Sequence, residues 1–400
     1  MYSRSLRVII IGAGLGGLTL AQGLRRAGVN VAVYERDPTA NIRGQGYCIH
    51  FDTRGTRGLY DCLPPELYRL VVETSRKPGH QLTILSEQLK QLRVIRFTGQ
   101  VVAPDPAIFS APVDRFTVRQ ILLNSLDNAV QFDKAFNNYE RLGNGRIRAH
   151  FADETTDDAD LLVAADGVGS HVRQQFLPQA RLRDSGERCI FGKTSVVATT
   201  QTVIPPLLRN GFAAVIGQHR RGMVLGLMEF QLRPDVAATK LQPNLKLQPG
   251  SDYVMWALTV PLNQLSETDD ALGDLPGSEL QRVVQSVAKD WHPDIRALVA
   301  PSDPSEIRIV PIRTALAISH WKTTNITLTG DAIHARARRA APAPTRHSAT
   351  PASSAGNSSR RIVATFRCSK RFTTTKSPCS ITASPPSASL SAPASGSPTP

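Results

Sequence analysis

Beyond Ala335 this 400-residue chain contains no Asp or Glu at all. It has five cysteines, Cys48, Cys62, Cys189, Cys368 and Cys379, with no CxxC pair among them. That scatter excludes a disulfide scaffold and a cysteine-ligated zinc site, and it suits a reducing, cytoplasmic compartment. No apolar run reaches the ~20 residues a membrane-spanning helix needs. The nearest candidate, Val8 to Ala21 behind Arg4 and Arg7, has the outline of a secretory leader but is broken by Gly12, Gly14, Gly16 and Gly17. Aromatic residues are few, at 6%.

The missing acids explain the net charge. Of the formal +14, ten positive charges lie between Arg336 and Lys376, so everything before them carries +4. The basicity therefore belongs to the tail, not to the body. A basic tail can lie along a phosphate backbone. With only Phe366 and Phe372 to stack on bases, a nucleic-acid arm is the weaker reading. The tail is rich in Ser, Thr, Ala, Pro and Arg and lacks apolar periodicity, so residues 336–400 read as disordered.

What is present begins at Arg7. Arg7 to Ile11 is a β-branched run suited to a buried parallel strand. Leu15 to Ala27 carries Leu18, Ala21 and Leu24 at helical spacing and closes on Gly28, and Val31 to Tyr34 reads as a second strand. Between strand and helix lies GAGLGG, with Gly12, Gly14 and Gly17 in GxGxxG register. The first glycine permits the turn, the second lets backbone approach a pyrophosphate, and the third allows close helix–strand packing. Glu35, at the end of the second strand, is placed to accept both ribose hydroxyls. The spacing predicts a dinucleotide-binding βαβ unit; glycines serving only tight packing are the alternative.

Further along, Phe116 to Leu126 reads as a helix and Asp160 to Ala165 as a strand entering an Asp166-Gly167 turn. From about Leu182 to Leu262 the pattern changes to β-rich runs, Thr194 to Thr199, Met223 to Phe230 and Tyr253 to Val260. These predict a largely antiparallel second domain. A helix follows at Glu279 to Lys289. Ile307 to Ile312 and Asn325 to Leu328 read as strands returning to the first domain. The expected division is 1–180 for the first part of a nucleotide domain, 181–300 for a β-rich domain, 301–335 for the return segment, and 336–400 for the tail.

Four segments together resemble a family. Glu35-Arg36 leads to Arg43-Gly44-Gln45-Gly46-Tyr47; then come VDRFTVRQILLNSL (Val113 to Leu126), ADLLVAADGVGSHVR (Ala159 to Arg173) and TLTGDAIH (Thr327 to His334). In this order they resemble the FAD-dependent monooxygenases that include para-hydroxybenzoate hydroxylase and the tetracycline-inactivating enzymes. The resemblance implies an α/β fold: a Rossmann-like FAD-binding domain beside a β-rich substrate domain. It implies FAD, with NADPH or NADH as reductant, and O₂ used to hydroxylate or epoxidise a medium-sized metabolite, aromatic or polycyclic. Such work belongs to secondary-metabolite biosynthesis or aromatic degradation. Gly12, Gly14, Gly17, Glu35, Arg36, Gly46, Arg119, Asp166, Gly167 and Asp331 would then hold the cofactor, with Arg119 on the nucleotide and Asp331 on the ribityl chain. No catalytic base and no metal are implied.

Each site has a plainer reading. Arg115 and Arg119 suit a solvated helix face, Asp166-Gly167 an ordinary turn, and Asp331 a helix N-cap. His50 as a covalent flavin tether is outweighed by a structural role, and Trp256, Trp291 and Trp321 read as packing residues. The match to the family stops at about Ala335, where a loop and helix facing the flavin ring are expected; a shifted reading frame accounts for that, a genuine disordered tail being the alternative. A same-fold halogenase or reductase, or a catalytically impaired flavin-binding remnant, remains as the alternative function.

Overall fold

A computed structural model describes residues 5–40, 47–77, 79–96, 108–126, 128–199, 203–316 and 321–334. The tail from residue 335 onward, with the departure from the family at that point, lies outside them, as do Arg43, Gly44 and Gly46.

The nucleotide half is built on a five-stranded parallel sheet. Its order across the sheet is Ile326–Leu328, Leu161–Ala164, Arg7–Ile11, Asn30–Tyr34 and Val130–Gln131. The apolar run at Arg7–Ile11 is continuous because both faces are covered. Val8 and Ile10 pack under the helices Leu15–Arg26, Thr53–Cys62 and Arg115–Leu123, against Leu18, Leu59 and Ile121. Ile9 and Ile11 face the other way, against Ile147, Ala149 and Phe151. Those three come from a small antiparallel sheet of Phe136–Arg141, Ile147–Phe151 and Thr156–Ala159. Side chains buried as completely as Ile9 and Ile10 each contribute about 1.5–3 kcal/mol.

The second half is a seven-stranded sheet. Its order is Arg308–Ala315, Leu182–Ser195, Tyr253–Pro261, Gly222–Met228, Gly211–Ile216, Gln81–Ser86 and Gln91–Arg96. Every pair is antiparallel except Gly211–Ile216 with Gln81–Ser86. One face is closed by Gly277–Val287 and Pro293–Val299, whose Leu280, Val284, Ile295 and Leu298 pack on Ile190, Leu225 and Trp256. The Trp256 Nε1–H donates to Ser302 Oγ at 2.9 Å and to Thr194 Oγ1 at 3.3 Å, so the indole is buried with its polar end satisfied. On the opposite face Phe191, Phe212 and Met255 stay half-buried, Phe191 meeting Tyr47 at 5.1 Å and Phe212 lying 6.2 Å from His50.

The mixed α/β architecture agrees with the fold class expected from the sequence. One strand differs. The segment read as Ile307 to Ile312 is Arg308–Ala315, and it pairs with Leu182–Ser195 in the second sheet instead of returning to the first. Only Ile326–Leu328 returns, beside Leu161–Ala164. The second sheet also takes in the hairpin Gln81–Ser86/Gln91–Arg96 from inside the range read as nucleotide domain. An amphipathic strand declares its two faces but not its neighbours, and these neighbours lie far away in the chain.

Candidate functional site: the carboxyl ends of the parallel sheet

The four main parallel strands all end at one edge. Arg7–Ile11 runs into the glycine turn, Asn30–Tyr34 into Glu35, Leu161–Ala164 into Asp166-Gly167, and Ile326–Leu328 into Gly330-Asp331. A crevice beyond the carboxyl ends of parallel strands is where such folds bind ligands.

The glycine turn is tight for a visible reason. Gly12 has φ +106°, and its N–H donates to Tyr34 O at 2.8 Å. A Cβ there would lie 2.4 Å from Ala165 O, and one on Gly17 would lie 2.2 Å from Gly12 O. Gly14 and Gly16 are different: among the described residues, a Cβ on either meets nothing within 4 Å. Their bareness opens space in front of the helix instead of closing a contact. Gly14 is the N-cap of Leu15–Arg26, with no side-chain cap and no acidic residue in the first turn. The first N–H groups of that helix, with its positive dipole end, are left for an anion.

Glu35 and Arg119 converge on this turn. The Ala13 N–H donates to Glu35 Oε2 at 2.8 Å, and the Asp37 N–H donates to Glu35 Oε1 at 3.1 Å. Arg119 Nε–H donates to Ala13 O at 3.1 Å, and its Nη1 reaches Ala40 O. Arg119 is 4% exposed, which excludes the solvated-face reading for it. Arg115, one turn earlier, is half-buried with its guanidinium 5.7 Å over the Tyr47 ring. Arg36 is exposed beside Glu35.

Asp166 flanks the same turn through its backbone, 2.9 Å from where a Gly12 Cβ would stand. Gly167 takes φ +79°, and Ser170 caps the next helix, His171–Phe176, by accepting from Arg173 N–H at 2.9 Å. Asp166 Oδ1 is buried and accepts no hydrogen bond from the described residues. Burial raises its carboxyl above the ordinary range. Arg173, its own guanidinium lowered by burial, donates from Nη1 to Ala332 O at 2.8 Å. That bond ties the Asp166 segment to the short helix Asp331–His334, at whose start Asp331 lies exposed.

Flavin adenine dinucleotide suits this donor set. The open positions at Gly14 and Gly16, an uncapped helix start, a buried carboxylate at the strand end and the orphaned Asp166 Oδ1 match pyrophosphate, ribose and further hydroxyls in turn. His50, by contrast, has Nε2 3.0 Å from Ser110 Oγ and its ring 6.2 Å from Phe212. Trp256 and Trp291 are core residues, and Trp321 packs edge-on against Phe176 at 6.5 Å.

Sequence reasoning did not single out Asp114 and Tyr253. Asp114 caps the helix that carries Arg119, and its second oxygen accepts from the Tyr253 hydroxyl at 2.8 Å. An Asp directly before a helical run is a signal for the cap, but nothing local points to a tyrosine 139 residues away.

Residues 10–62 match the model of an NAD(P)-binding Rossmann-like domain. A solved protein of Photorhabdus luminescens subsp. laumondii, assigned as a FAD-containing monooxygenase, is 30% identical to this chain. The similarity covers 83% of this chain and 82% of that one, with a TM-score of 0.67. The chain belongs to the FAD-dependent monooxygenases. Among curated relatives, the dual O-methyltransferase/FAD-dependent monooxygenase CTB3 of Cercospora beticola is 27% identical over 360 residues, taking in 82% of this chain. This chain spans only 39% of that relative's length. Klebsiella pneumoniae HpxO, solved with FAD and uric acid, shares the fold at 19% identity and a TM-score of 0.62, over 83% of this chain and 74% of its own. Among the described residues, no helix is long and apolar enough to cross a membrane.

Proposed function

We propose that this chain is a FAD-dependent monooxygenase that uses NAD(P)H and O₂ to hydroxylate or epoxidise a medium-sized, aromatic or polycyclic metabolite, in secondary metabolism and in the cytoplasm. The observation that carries this reading is the convergence of Glu35 and Arg119 on Ala13, in a glycine turn whose helix start is uncapped.

In this assignment the N–H groups at the start of Leu15–Arg26 take the pyrophosphate, and Gly12, Gly14 and Gly17 let it approach. Glu35 accepts the ribose hydroxyls, with Arg36 beside it, and Gly46 is assigned to the cofactor on the sequence resemblance alone. Arg119 faces the nucleotide, Asp166-Gly167 bounds the crevice, and Asp331 takes the ribityl chain. FAD, when bound and reduced by NAD(P)H, would supply the chemistry that activates O₂, and O₂ itself would supply the atom transferred, its second oxygen leaving as water. The second sheet supplies a roof: its half-buried Phe191, Phe212 and Met255 give an apolar surface that receives a ring system and excludes water. No side chain is nominated as a catalytic base.

The test uses the full 400-residue chain. It is purified, its visible spectrum recorded, and oxygen uptake followed on adding NADPH or NADH. A stoichiometric yellow complex with nucleotide-dependent oxygen uptake supports the reading. Loss of flavin on purification, with no rebinding of added FAD, favours an impaired remnant. Reduced instead of oxygenated products would favour a same-fold reductase.

A further inference from the structure

Asp114 is the last residue of a fully buried strand, Ala111–Asp114, and the N-cap of helix Arg115–Leu123. Its Oδ1 accepts from the Thr117 N–H and the Thr117 hydroxyl, both at 2.8 Å. Its Oδ2 accepts from the Tyr253 hydroxyl, also at 2.8 Å. Asp114 is 6% exposed and Tyr253 5%.

A cap alone does not call for this arrangement. One acceptor atom satisfies an N-terminal N–H, and a Ser or Thr hydroxyl supplies it without a charge. Burying a carboxylate is costly unless both oxygens are well bonded. What Asp adds over Ser is the second oxygen, and that oxygen reaches the other half of the molecule. Tyr253 opens the central strand Tyr253–Pro261 of the second sheet, paired to Ser195 on one side and Met228 on the other. Its ring also lies 5.7 Å from Lys193 Nζ.

A continuous series of bonds follows from this one residue. The roof strand holds Asp114 through Tyr253, and Asp114 starts the helix. One turn on, Arg119 grips Ala13 O, and Ala13 N–H holds Glu35. We infer that Asp114 is a positioning residue that joins the two halves of the site: one oxygen aims Arg119 at the nucleotide, and the other fixes the roof through Tyr253. The inference rests on the flavin-site reading above. Asp114 touches neither cofactor nor substrate in it; it acts through Arg119 and Tyr253.

The test is a pair of double-mutant cycles on the full chain, read by FAD affinity from flavin fluorescence and by melting temperature of the apoprotein. Asp114→Ala is expected to weaken FAD binding by about five- to tenfold, the size of a lost cap. In an Arg119→Ala background it should weaken binding by less than about twofold, because the residue it positions is gone. Equal factors in both backgrounds mean only general destabilisation and overturn the nucleotide arm, as does no change in either. Asp114→Ser keeps the cap and drops the second oxygen, so it serves even where Asp114→Ala does not fold. It should hold FAD affinity within about twofold of the native chain. Tyr253→Phe should then lower the melting temperature of the native chain by about 2–4 °C and leave that of Asp114→Ser unchanged. An equal drop in both backgrounds overturns the roof arm. A native chain that binds no FAD contradicts the flavin reading instead, and the melting temperatures still decide the roof arm.

Discussion

The glycines beside the second half's tryptophans and those at the start of the first helix play opposite parts. In the second sheet a Cβ on Gly192 would stand 2.6 Å from the Trp256 ring, and one on Gly217 would stand 2.7 Å from the Trp291 ring. Those glycines are filled around; the sheet's outer face is packed to the limit and its indole nitrogen is satisfied. In the nucleotide half, Gly14 and Gly16 face nothing within 4 Å among the described residues, and Asp166 Oδ1 lies buried without a partner among them. Close packing marks the part of the molecule whose purpose is to stand. Unfilled space beside an uncapped helix start, with a buried carboxylate oxygen close by, is what a ligand site offers.

That contrast can be tested by substitutions that strike one region and spare the other. The largest effect is expected from Trp256→Ala, which opens a cavity in the second sheet and should cost about 3–5 kcal/mol in urea unfolding. Gly192→Ala in the same core should cost about 1–3 kcal/mol, because the Trp256 ring and Ile307 must move. FAD affinity of the folded fraction should be unchanged in both.

Asp166→Asn should act in the other direction. Its carboxyl is raised in the folded state, so its contribution to stability is fully present below the ordinary carboxylate range and is lost as pH rises through the raised value. The amide removes the buried charge and should stabilise the apoprotein by about 1 kcal/mol at neutral pH. The gain should fade as the buffer is acidified and the native carboxyl protonates. Thermal melts of the apoprotein across a pH series read both parts. The same variant should bind FAD more weakly, since it loses an acceptor in the crevice. The smallest effect on folding is expected from Gly14→Ala, within about 0.5 kcal/mol, since the new methyl enters open space at an ordinary backbone angle.

The sequence made the nucleotide half legible because its signals are local. Strand, glycine turn, helix and Glu35 lie within Arg7 to Glu35, and the observed elements Arg7–Ile11, Leu15–Arg26 and Asn30–Tyr34 fall where periodicity placed them. The convergence of Glu35 and Arg119 on Ala13 follows from motif order, although the bonds themselves span 22 and 106 residues. Pairing over long separations was not legible. Ile307 to Ile312 reads as a return to the first sheet but belongs to Arg308–Ala315 of the second, and nothing local marks the Gln81–Ser86 hairpin as part of that sheet. Tyr253 reads as one more strand residue until its hydroxyl is seen on Asp114. The small antiparallel sheet at Phe136–Ala159 is not legible because its strands FNNYER and TDDA are mostly polar and carry no clear apolar alternation.

The most direct measurement is a FAD titration of the full apoprotein and of Gly14→Val side by side, with melting curves of both. Gly14→Val puts a branched side chain into space that no other described residue occupies. Stoichiometric binding by the native chain, and binding weakened at least about tenfold in a variant whose melting temperature is unchanged, is the expected result. Equal FAD affinity in the two proteins, or no binding by either, would contradict the assignment of that space to the dinucleotide.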